Sequence, residues 1–467
     1  MSSATRQVIP LVINNEDIQT STTFPVTNPG TGEKLYECSS ASLQDVDKAT
    51  TSARLAYLKW KGWTAYDRQK LLFKAADLLH SRKEELLGYQ MEETGAARSF
   101  AEMALSGTVD FLRGVAGRVT TIENVSPTVL DPAGAALLRR NAPFHLANRA
   151  IALPLAAGNS VILKGSELSP KCFWAITDIY RQAGLPAGCL NTLFHRRQDA
   201  SVVTEKLIAD PAVGKITFTG STHVGSLLAA TAARYIKPVL LELGGKAPVI
   251  ILDDADLEDA ARNCVLGAFM NSGQICMSSE RIIVQRSVID RFRSVLKRTA
   301  AEMYGTDTIT LVAPEAVNRC HGLVSDALAK GATALVGDVN SIQPALSAMP
   351  VFILENIPES ADLYATESFG PIATLTVVDT DEDAITLAND TEYGLTGAVF
   401  TGNWARWMNI ARSIESGAVH INSMTVHDEL TLPHGGWKKS GYGRFGGSDG
   451  FNEFLQTRTI TWKESWR

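Results

Sequence analysis

A chain of 467 residues exceeds the ~250–300 residues at which a single hydrophobic core stops growing, which predicts at least two domains. Its 45% of apolar and 20% of charged residues are typical of a globular protein and exclude wholesale disorder. The formal net charge of −6 gives no basic surface for nucleic acid, and no apolar run reaches the ~18–20 residues that cross a membrane.

Six cysteines are scattered along the chain without the CxxC spacing of redox or zinc motifs: Cys38, Cys172, Cys189, Cys264, Cys276 and Cys320. This scatter favours free thiols over a disulfide framework and predicts no metal site. The N-terminus up to Asn15 contains a single basic residue and no long apolar segment, which argues against a secretory signal. The expected location is therefore a reducing compartment, the cytoplasm.

Helical periodicity dominates the N-terminal part of the chain, from Leu43 to Leu87. Apolar residues recur there at steps of three and four, as on the buried face of amphipathic helices. Asp67 stands just before the second apolar series and is expected to cap the second helix.

Short apolar runs alternate with helical stretches in the middle of the chain. Strands are predicted at 160–164, 214–218, 239–243, 249–252 and 281–285, with helices at 171–183 and near 224–234, 256–271 and 288–303. Strands that alternate with helices of ~10–15 residues form parallel sheets, so the fold class is α/β with two α/β domains. The apolar residues after Gly447 are expected to form a terminal strand that covers the edge of a neighbour.

Two segments that follow predicted strands suit a nucleotide. Phe218 to Gly225 is a Gly-rich strand-to-helix turn that contains Gly220 and Ser221, and its backbone N–H groups can bind a phosphate. Lys164 and Glu167 follow another strand, where a carboxylate can hold a ribose diol and the Lys a sugar or phosphate. Taken singly, the first is equally well explained as a structural turn and the second as a solvated pair.

Two residues have the chemistry of a nucleophile and a base. Cys276 alone among the cysteines lies in a polar, Gly-containing segment, Asn271 to Cys276. A buried structural thiol is the usual state of a Cys, whereas a thiol near a Gly turn with a suitable base can be a nucleophile. Glu242 lies among apolar strand residues, so it is either a salt-bridged structural carboxylate or a general base.

Several motifs, taken in order, resemble those of the aldehyde dehydrogenase superfamily. They are the glutamate motif Glu242–Lys246, the cysteine motif Gly273–Cys276, the E-x-F-G-P motif Glu367–Pro371, the nucleotide-binding turn Phe218–Gly225, and the short matches Asn28–Pro29 and Ser440–Gly441. The resemblance covers nearly the whole chain. Segments 425–429 and 441–447 are similar to the salicylaldehyde and vanillin dehydrogenase branch, which acts on aromatic aldehydes.

The resemblance implies NAD-dependent oxidation of an aldehyde, aromatic for this branch, to the carboxylic acid through a thiohemiacetal and a thioester. Cys276 is then the nucleophile, Glu242 the general base for water, and the Asn141 amide with the Cys276 N–H the oxyanion donors. The implied cofactor residues are Lys164, Glu167, Gly220, Ser221, Gly225, Glu367 and Phe369. NAD is expected to be preferred over NADP, because the Glu167 carboxylate repels a 2′-phosphate. Phe144, Phe269 and Met270 are candidates for the wall of the substrate pocket.

The implied fold is a Rossmann-like cofactor domain, an α/β catalytic domain and a β arm for oligomerisation. The predicted bounds are 1–116 and 133–244 for the cofactor domain, 245–447 for the catalytic domain, and 117–132 with 448–467 for the arm. A homodimer or homotetramer is expected.

Three segments depart from the family pattern. Ala135 to Arg140 replaces an apolar strand and Pro-Trp before Asn141 and is about two residues short, a shortening of ~6.6 Å in an extended chain. The connection near 305–314 lacks roughly ten residues, a loss that a surface loop tolerates. His434 replaces a Phe before Gly435–Gly436, and 437–439 is atypical. The first departure predicts a slowed enzyme and favours one alternative, an impaired family member with a structural or binding role. A second alternative is a thioester or ester hydrolase that uses Cys276 and Glu242 without hydride transfer.

Overall fold

The computed structural model describes residues 8–121, 133–138, 142–305, 308–342, 347–429 and 431–463. The helices, in chain order, are α1 (Leu43–Trp60), α2 (Ala65–Ser81), α3 (Lys83–Thr94), α4 (Arg98–Arg118), α5 (Pro143–Ala156), α6 (Pro170–Ala183), α7 (Ala200–Ala209), α8 (Thr222–Arg234), α9 (Leu257–Phe269), α10 (Ile289–Tyr304), α11 (Pro314–Ala329), α12 (Asp362–Ala365), α13 (Asp381–Asn389), α14 (Trp404–Ser413) and α15 (Gly447–Asn452).

The strands, in chain order, are β1 (Val8–Ile9), β2 (Leu11–Ile13), β3 (Glu16–Ile18), β4 (Thr23–Thr27), β5 (Lys34–Ser39), β6 (Ala133–Leu138), β7 (Ser160–Lys164), β8 (Leu190–Leu193), β9 (Val213–Thr219), β10 (Val239–Glu242), β11 (Ala247–Ile251), β12 (Ser279–Gln285), β13 (Ile309–Thr310), β14 (Thr333–Val336), β15 (Ala348–Met349), β16 (Phe352–Glu355), β17 (Ile372–Val378), β18 (Tyr393–Gly394), β19 (Thr396–Phe400), β20 (Ala418–Ile421), β21 (Trp437–Lys438) and β22 (Gly441–Tyr442). Each predicted strand and helix of the middle region forms within two residues of its predicted bounds. The α/β fold class is confirmed.

The predicted helical stretch from Leu43 to Leu87 forms α1, α2 and the first part of α3. Thr64, not Asp67, is the N-cap of α2: the Thr64 hydroxyl accepts a hydrogen bond from the Asp67 N–H at 3.1 Å. The prediction of Asp67 as the cap was therefore wrong by three residues. Asp67 lies in the first turn, where its carboxylate accepts a hydrogen bond from the Thr64 hydroxyl and favours the helix dipole.

The first sheet has eight strands within the described residues, in the order β22-β10-β9-β6-β7-β8-β2-β3. Strands β10, β9, β6, β7 and β8 are parallel neighbours, whereas β22, β2 and β3 pair antiparallel. The chain order reverses beside β6, because β7 and β8 extend the sheet on one side and β9 and β10 on the other. Ligands of open α/β sheets bind outside the carboxyl ends of strands near such a reversal.

The second sheet has seven strands in the described ranges, in the order β14-β16-β17-β12-β11-β19-β20. All its neighbours are parallel except the edge strand β14. Its central strands are almost wholly buried, as expected for a sheet with helices on both faces. Smaller sheets are β1-β5-β4, β13-β15 and β18-β21.

The C-terminal segment returns to the first sheet after the second is complete. Strand β22 pairs antiparallel with β10, and Phe445, Phe451 and Phe454 pack into the hydrophobic core of the first sheet. The expected strand after Gly447 does not form in the described part of this segment, which begins as α15. This difference is explained by the burial of Phe451 in the first hydrophobic core, because a helix can place one apolar residue per turn against that core.

No helix in the part of the chain that the structure describes combines the length and the apolar character needed to cross a membrane.

Candidate active site

A cleft of about 630 Å³ opens at the carboxyl ends of β7 and β9. Four of the predicted cofactor residues line it: Lys164, Glu167, Ser221 and Phe369. Its wall also carries three arginines that the sequence analysis did not single out: Arg196, Arg197 and Arg319. The residues found in separate sequence motifs therefore share one cleft, of a volume typical of ligand sites.

The remaining predicted cofactor residues, Gly220, Gly225 and Glu367, are not among the described residues that line the cleft. A Cβ on Gly220 would meet the Phe218 ring at 2.2 Å, and a Cβ on Gly225 would meet Leu243 at 2.5 Å. Both glycines thus permit close packing rather than lining the cleft. Ser221 caps α8 by accepting a hydrogen bond from the Val224 N–H, so the positive end of this helix faces the cleft.

Lys164, which lines the cleft, lies close to His195, which follows β8. Burial lowers the pKa of Lys164, which the neighbouring Glu167 opposes. Burial, with the nearby Lys164 charge, lowers the pKa of His195 to about 4. His195 is therefore neutral at neutral pH, and Lys164 has a carboxylate neighbour that favours its charged form.

The cysteine motif forms a tight, strained loop between α9 and β12. Asn271 and Ser272 adopt left-handed conformations with φ of 49° and 58°, and Gly273 follows with φ of 68°. A Cβ on Gly273 would lie 2.1 Å from the Gly370 carbonyl oxygen, so only glycine permits this approach. Such strain persists where the surroundings fix it, often at functional sites.

Cys276 is the one partly exposed thiol of the six, whereas the other five are buried. Burial raises the pKa of Cys189 to about 12 and of Cys320 to about 11, and it raises the pKa of Cys264 further. Burial also raises the pKa values of Cys38 and Cys172. These five thiols stay protonated, which leaves Cys276 as the candidate nucleophile.

Glu242 lies at the end of β10 with only 1% of its side chain exposed. Its carboxylate contacts the guanidinium of Arg149, and its Oε1 lies 2.9 Å from His434 Nε2. Neither contact is aligned as a hydrogen bond, so both act through charge and proximity. The glutamate and cysteine motifs pack closely through their backbones: a Cβ on Gly245 would lie 2.4 Å from the Cys276 carbonyl oxygen.

Arg149 connects the two motifs to a second carboxylate. Its Nη1 donates to Asp428 Oδ2 at 3.1 Å, and its guanidinium lies over the Phe445 ring at 4.8 Å. Burial lowers the pKa of Arg149, while Asp428 and Cys276 act in the opposite direction. We call Arg149, Glu242, Asp428 and His434 the buried charge cluster.

The protonation states within the buried charge cluster follow from burial and contact. Burial by itself raises the pKa of Asp428, but His434, His145 and Arg149 together hold it well below its usual range. Burial lowers the pKa of His434 to about 4, against the opposing effect of Asp428. At neutral pH a neutral His434 and an ionised Asp428 therefore flank the ionic contact of Arg149 with Glu242.

Glu367 and the residues after it pack against both catalytic motifs. Glu367 Oε1 accepts a hydrogen bond from the Gly245 N–H at 3.2 Å, and a Cβ on Gly244 would lie 2.5 Å from its Oε2. Among the predicted wall residues, Met270 packs with Cys276 in one apolar cluster. Phe144 and Phe269 lie instead in the two hydrophobic cores, so their prediction as pocket wall was wrong.

Asn141, Arg139 and Arg140 lie outside the described residues, so the predicted oxyanion donor stays a prediction. The shortened segment before them nevertheless forms β6, which pairs with β7 and β9 on its two sides.

Sequence reasoning missed Arg149 and Asp428 as site residues. Arg149 stands in a mostly apolar, buried helix, and a charge in such a helix is a signal of a buried pair. Asp428 stood in a segment used only for its family resemblance. The two side chains meet across 279 residues of sequence, a separation that no local pattern reports.

Comparison with known proteins places these features in a family. A model of the aldehyde dehydrogenase family matches residues 17–460. The chain belongs to this family. Vanillin dehydrogenase of Pseudomonas sp. (strain HR199 / DSM 7063) is 40% identical over 97% of each chain, and salicylaldehyde dehydrogenase of Pseudomonas sp. (strain C18) is 37% identical over 97% of each.

A solved structure agrees with this assignment. The salicylaldehyde dehydrogenase of Pseudomonas putida G7, complexed with salicylaldehyde, superposes with a TM-score of 0.92 at 34% identity, covering 98% of this chain and 99% of that one. The expected aldehyde dehydrogenase fold is confirmed. The protein is an aldehyde-oxidising enzyme that uses a nicotinamide dinucleotide, as members of the aldehyde dehydrogenase family do.

Proposed function

We propose that this aldehyde dehydrogenase oxidises aromatic aldehydes to carboxylic acids, with Cys276 as nucleophile, Glu242 as general base and NAD as the preferred dinucleotide. The observation that carries the proposal is that the glutamate motif packs directly against Cys276, so that the one partly exposed thiol of the described residues lies beside the segment that holds the buried Glu242 carboxylate. A thiol with a nearby base is the arrangement that covalent acyl chemistry requires.

Each residue of the site has a separate role in the proposed reaction. The Cys276 thiolate forms a bond to the carbonyl carbon. A dinucleotide held in the cleft would accept the hydride that the resulting thiohemiacetal loses when it becomes a thioester. Glu242 then takes a proton from water, whose oxygen attacks the thioester carbon, and the thiolate leaves with the release of the acid.

The cleft residues suit a dinucleotide. Ser221 and the first turn of α8 present backbone N–H groups for phosphates, while Lys164 and Glu167 match a ribose. Arg196 donates to Asp199 at 2.7 Å, which neutralises part of the positive charge in the cleft. We expect a preference for NAD rather than exclusion of NADP, because Arg197 partly offsets the Glu167 carboxylate.

The apolar surroundings of Cys276 suit an aromatic ring. Phe100, Ile275, Met277 and Val426 pack with Cys276 in one cluster. Burial of an aromatic ring against such a wall favours binding by a few kcal/mol, on the order of 25 cal/mol per Å² of apolar surface. Vanillin and salicylaldehyde, the aldehydes named for the two relatives, carry polar ring substituents, for which Asp428, two residues after Val426 of this cluster, offers a polar group.

We also propose a homo-oligomer, assembled through the predicted arm of 117–132 and 448–467. Exposed apolar side chains in the C-terminal region support an interface there: Trp437 is 47%, Tyr442 51% and Trp462 85% exposed. Light scattering after size exclusion gives the subunit number directly. A monomer at micromolar concentration would contradict this part of the proposal. The predicted domain bounds likewise stay a proposal.

The deciding experiment combines a substrate panel with the Glu242→Gln variant. Purified protein is assayed with benzaldehyde, vanillin, salicylaldehyde and acetaldehyde, with NAD and with NADP, by the absorbance of the reduced dinucleotide. We expect benzaldehydes to exceed acetaldehyde in kcat/KM, and Glu242→Gln to retain a first-turnover burst while its steady-state rate falls about 10²–10³-fold. Ester hydrolysis without dinucleotide reduction would favour the hydrolase alternative, and inactivity with every substrate an impaired enzyme.

A further inference from the structure

One buried ion pair joins the three motifs that surround the active site. Lys246 ends the glutamate motif, Glu280 follows the cysteine motif by four residues, and Ser368 and Phe369 belong to the E-x-F-G-P motif. Lys246 Nζ donates to Glu280 Oε2 at 2.7 Å, and their side chains are 1% and 3% exposed. Burying such an ion pair costs free energy, so we expect the pair to have a role besides stabilising the fold.

Glu280 has further partners in the cofactor loop. Its Oε1 accepts a hydrogen bond from the Ser368 N–H at 2.9 Å and from the Phe369 N–H at 3.3 Å. Its Oε2, already bonded to Lys246, lies 3.0 Å from the same Ser368 nitrogen. One carboxylate therefore fixes two successive backbone amides, both of them buried.

The backbone that Glu280 holds is strained at a residue of the cleft. Phe369 lines the cleft and has a φ of 43°, in the left-handed region that non-glycine residues rarely occupy. This conformation is strained and persists only where its surroundings fix it. Arg319 holds the same loop from outside by donating to the Ser368 carbonyl at 2.6 Å.

We propose that Glu280 is a positioning residue for the dinucleotide: its carboxylate fixes the backbone of Ser368 and Phe369 so that Phe369 forms one wall of the cleft. Lys246 balances the charge of Glu280 and connects the loop to the glutamate motif. The inference rests on the proposed use of this cleft for the dinucleotide. It extends that proposal by assigning a role to a residue outside the cleft.

The alternative, a purely structural ion pair, makes a different prediction. A structural pair needs its charges matched, whereas positioning needs only an acceptor oxygen at residue 280. Replacing a buried pair by apolar groups of similar volume is often neutral for stability, so the charge can be removed without unfolding the protein. The acceptor and the charge can then be tested separately.

Two double variants differ only in the acceptor. Lys246→Met with Glu280→Gln removes both charges and keeps an amide oxygen for the Ser368 and Phe369 amides. Lys246→Met with Glu280→Met removes the oxygen as well. Dinucleotide binding is measured by isothermal calorimetry with NAD alone, and KM is measured for NAD and for benzaldehyde. The exposed pair Arg298 and Glu258, substituted in the same way, is the control.

We expect the Gln variant to bind NAD within about twofold of the wild type, and the Met variant to bind it about tenfold more weakly, since a buried N–H loses its acceptor. The KM for NAD should rise in the Met variant while the KM for benzaldehyde stays within about twofold. If the Met variant does not fold, Glu280→Asp, which keeps the charge but shortens the reach to Ser368, should show the same selective weakening.

Three results would overturn the inference. Equal NAD affinity in the two double variants, or in Glu280→Asp and the wild type, would leave the pair structural and the proposed function intact. Equal changes in both KM values would show a general disturbance of the fold. Failure of the wild type to bind either NAD or NADP would overturn the proposed dinucleotide site together with this inference.

Discussion

The dinucleotide cleft and the buried charge cluster hold their charged groups in different ways. In the cleft, Glu167 and Arg197 lie partly or fully exposed on a cavity of about 630 Å³. In the cluster, Arg149 and Glu242 are 3% and 1% exposed and contact each other. Exposed charges are screened by water and are nearly independent, whereas each buried charge depends on its partners. A substitution in the cleft should therefore change mainly the binding of the dinucleotide. A substitution in the buried charge cluster should change several properties of the protein, among them its stability and its pH dependence.

The largest effect is expected for Cys276→Ala, because no other described thiol is exposed. Dinucleotide reduction with benzaldehyde should fall by at least about 10⁴-fold, the loss seen when a covalent nucleophile is removed. Cys264→Ala is the matched control and should retain activity, since this thiol is buried in the second core. Equal activity of the two variants would exclude Cys276 as the nucleophile.

Arg149→Met should show the dependence within the cluster. It leaves the Glu242 and Asp428 carboxylates without their shared cation, so the free energy of unfolding should fall by about 3–5 kcal/mol. The control is Arg286→Met, which breaks an exposed pair with Asp379 and should leave the free energy of unfolding nearly unchanged. Urea unfolding measures both. Similar losses for the two variants would remove the distinction between the regions.

His434→Phe should change how stability depends on pH. Because burial lowers the pKa of His434 to about 4, the folded protein disfavours its charged form, and stability is lost as pH falls below the unfolded value of ~6.5. Between pH 7 and pH 5 the wild type should lose about 2 kcal/mol that His434→Phe retains. Urea unfolding at the two pH values tests this, and parallel losses would place His434 in a more solvated setting.

The smallest effect is expected in the cleft, for Glu167→Gln. Removal of one carboxylate should raise the ratio of kcat/KM for NADP to that for NAD by about tenfold or less, since it removes repulsion of the 2′-phosphate without adding a new contact. The free energy of unfolding should stay within about 0.5 kcal/mol of the wild type. An unchanged cofactor ratio would mean that Glu167 does not face the adenosine ribose.

Local patterns were sufficient to predict the elements of this fold, but not how they assemble. Strand β7 forms at its predicted bounds, because a short apolar run after a helix has few other solutions. The cap of α2 was misassigned by three residues, since Thr64 and Asp67 both have capping side chains and only geometry distinguishes them. Even where the bounds of each strand are predicted within two residues, the order of the strands in the sheet stays undetermined.

The residues of the site likewise fall into two groups, those that local sequence patterns predicted and those that they did not. Cys276 and Glu242 were predicted because each stands in an unusual local context, a glycine turn or an apolar strand. The partners that set their charge were not predicted, because Arg149 and His434 reach Glu242 from distant parts of the chain. Burial, which lowers the pKa of His434, is a property of the packed molecule and has no counterpart in the sequence near it.

The late position of β22 in the chain has a consequence for biosynthesis. Gly441 pairs with Glu242, and its φ of 112° together with the 2.0 Å that would separate a Cβ from the Leu241 carbonyl oxygen makes glycine necessary there. Until the ribosome has added Gly441, the strand that carries Glu242 is an open edge. At ~5–20 residues per second that interval is roughly 10–40 s, long enough for an exposed edge to pair with another nascent chain. Translation speed between the two strands should therefore influence the yield of folded enzyme.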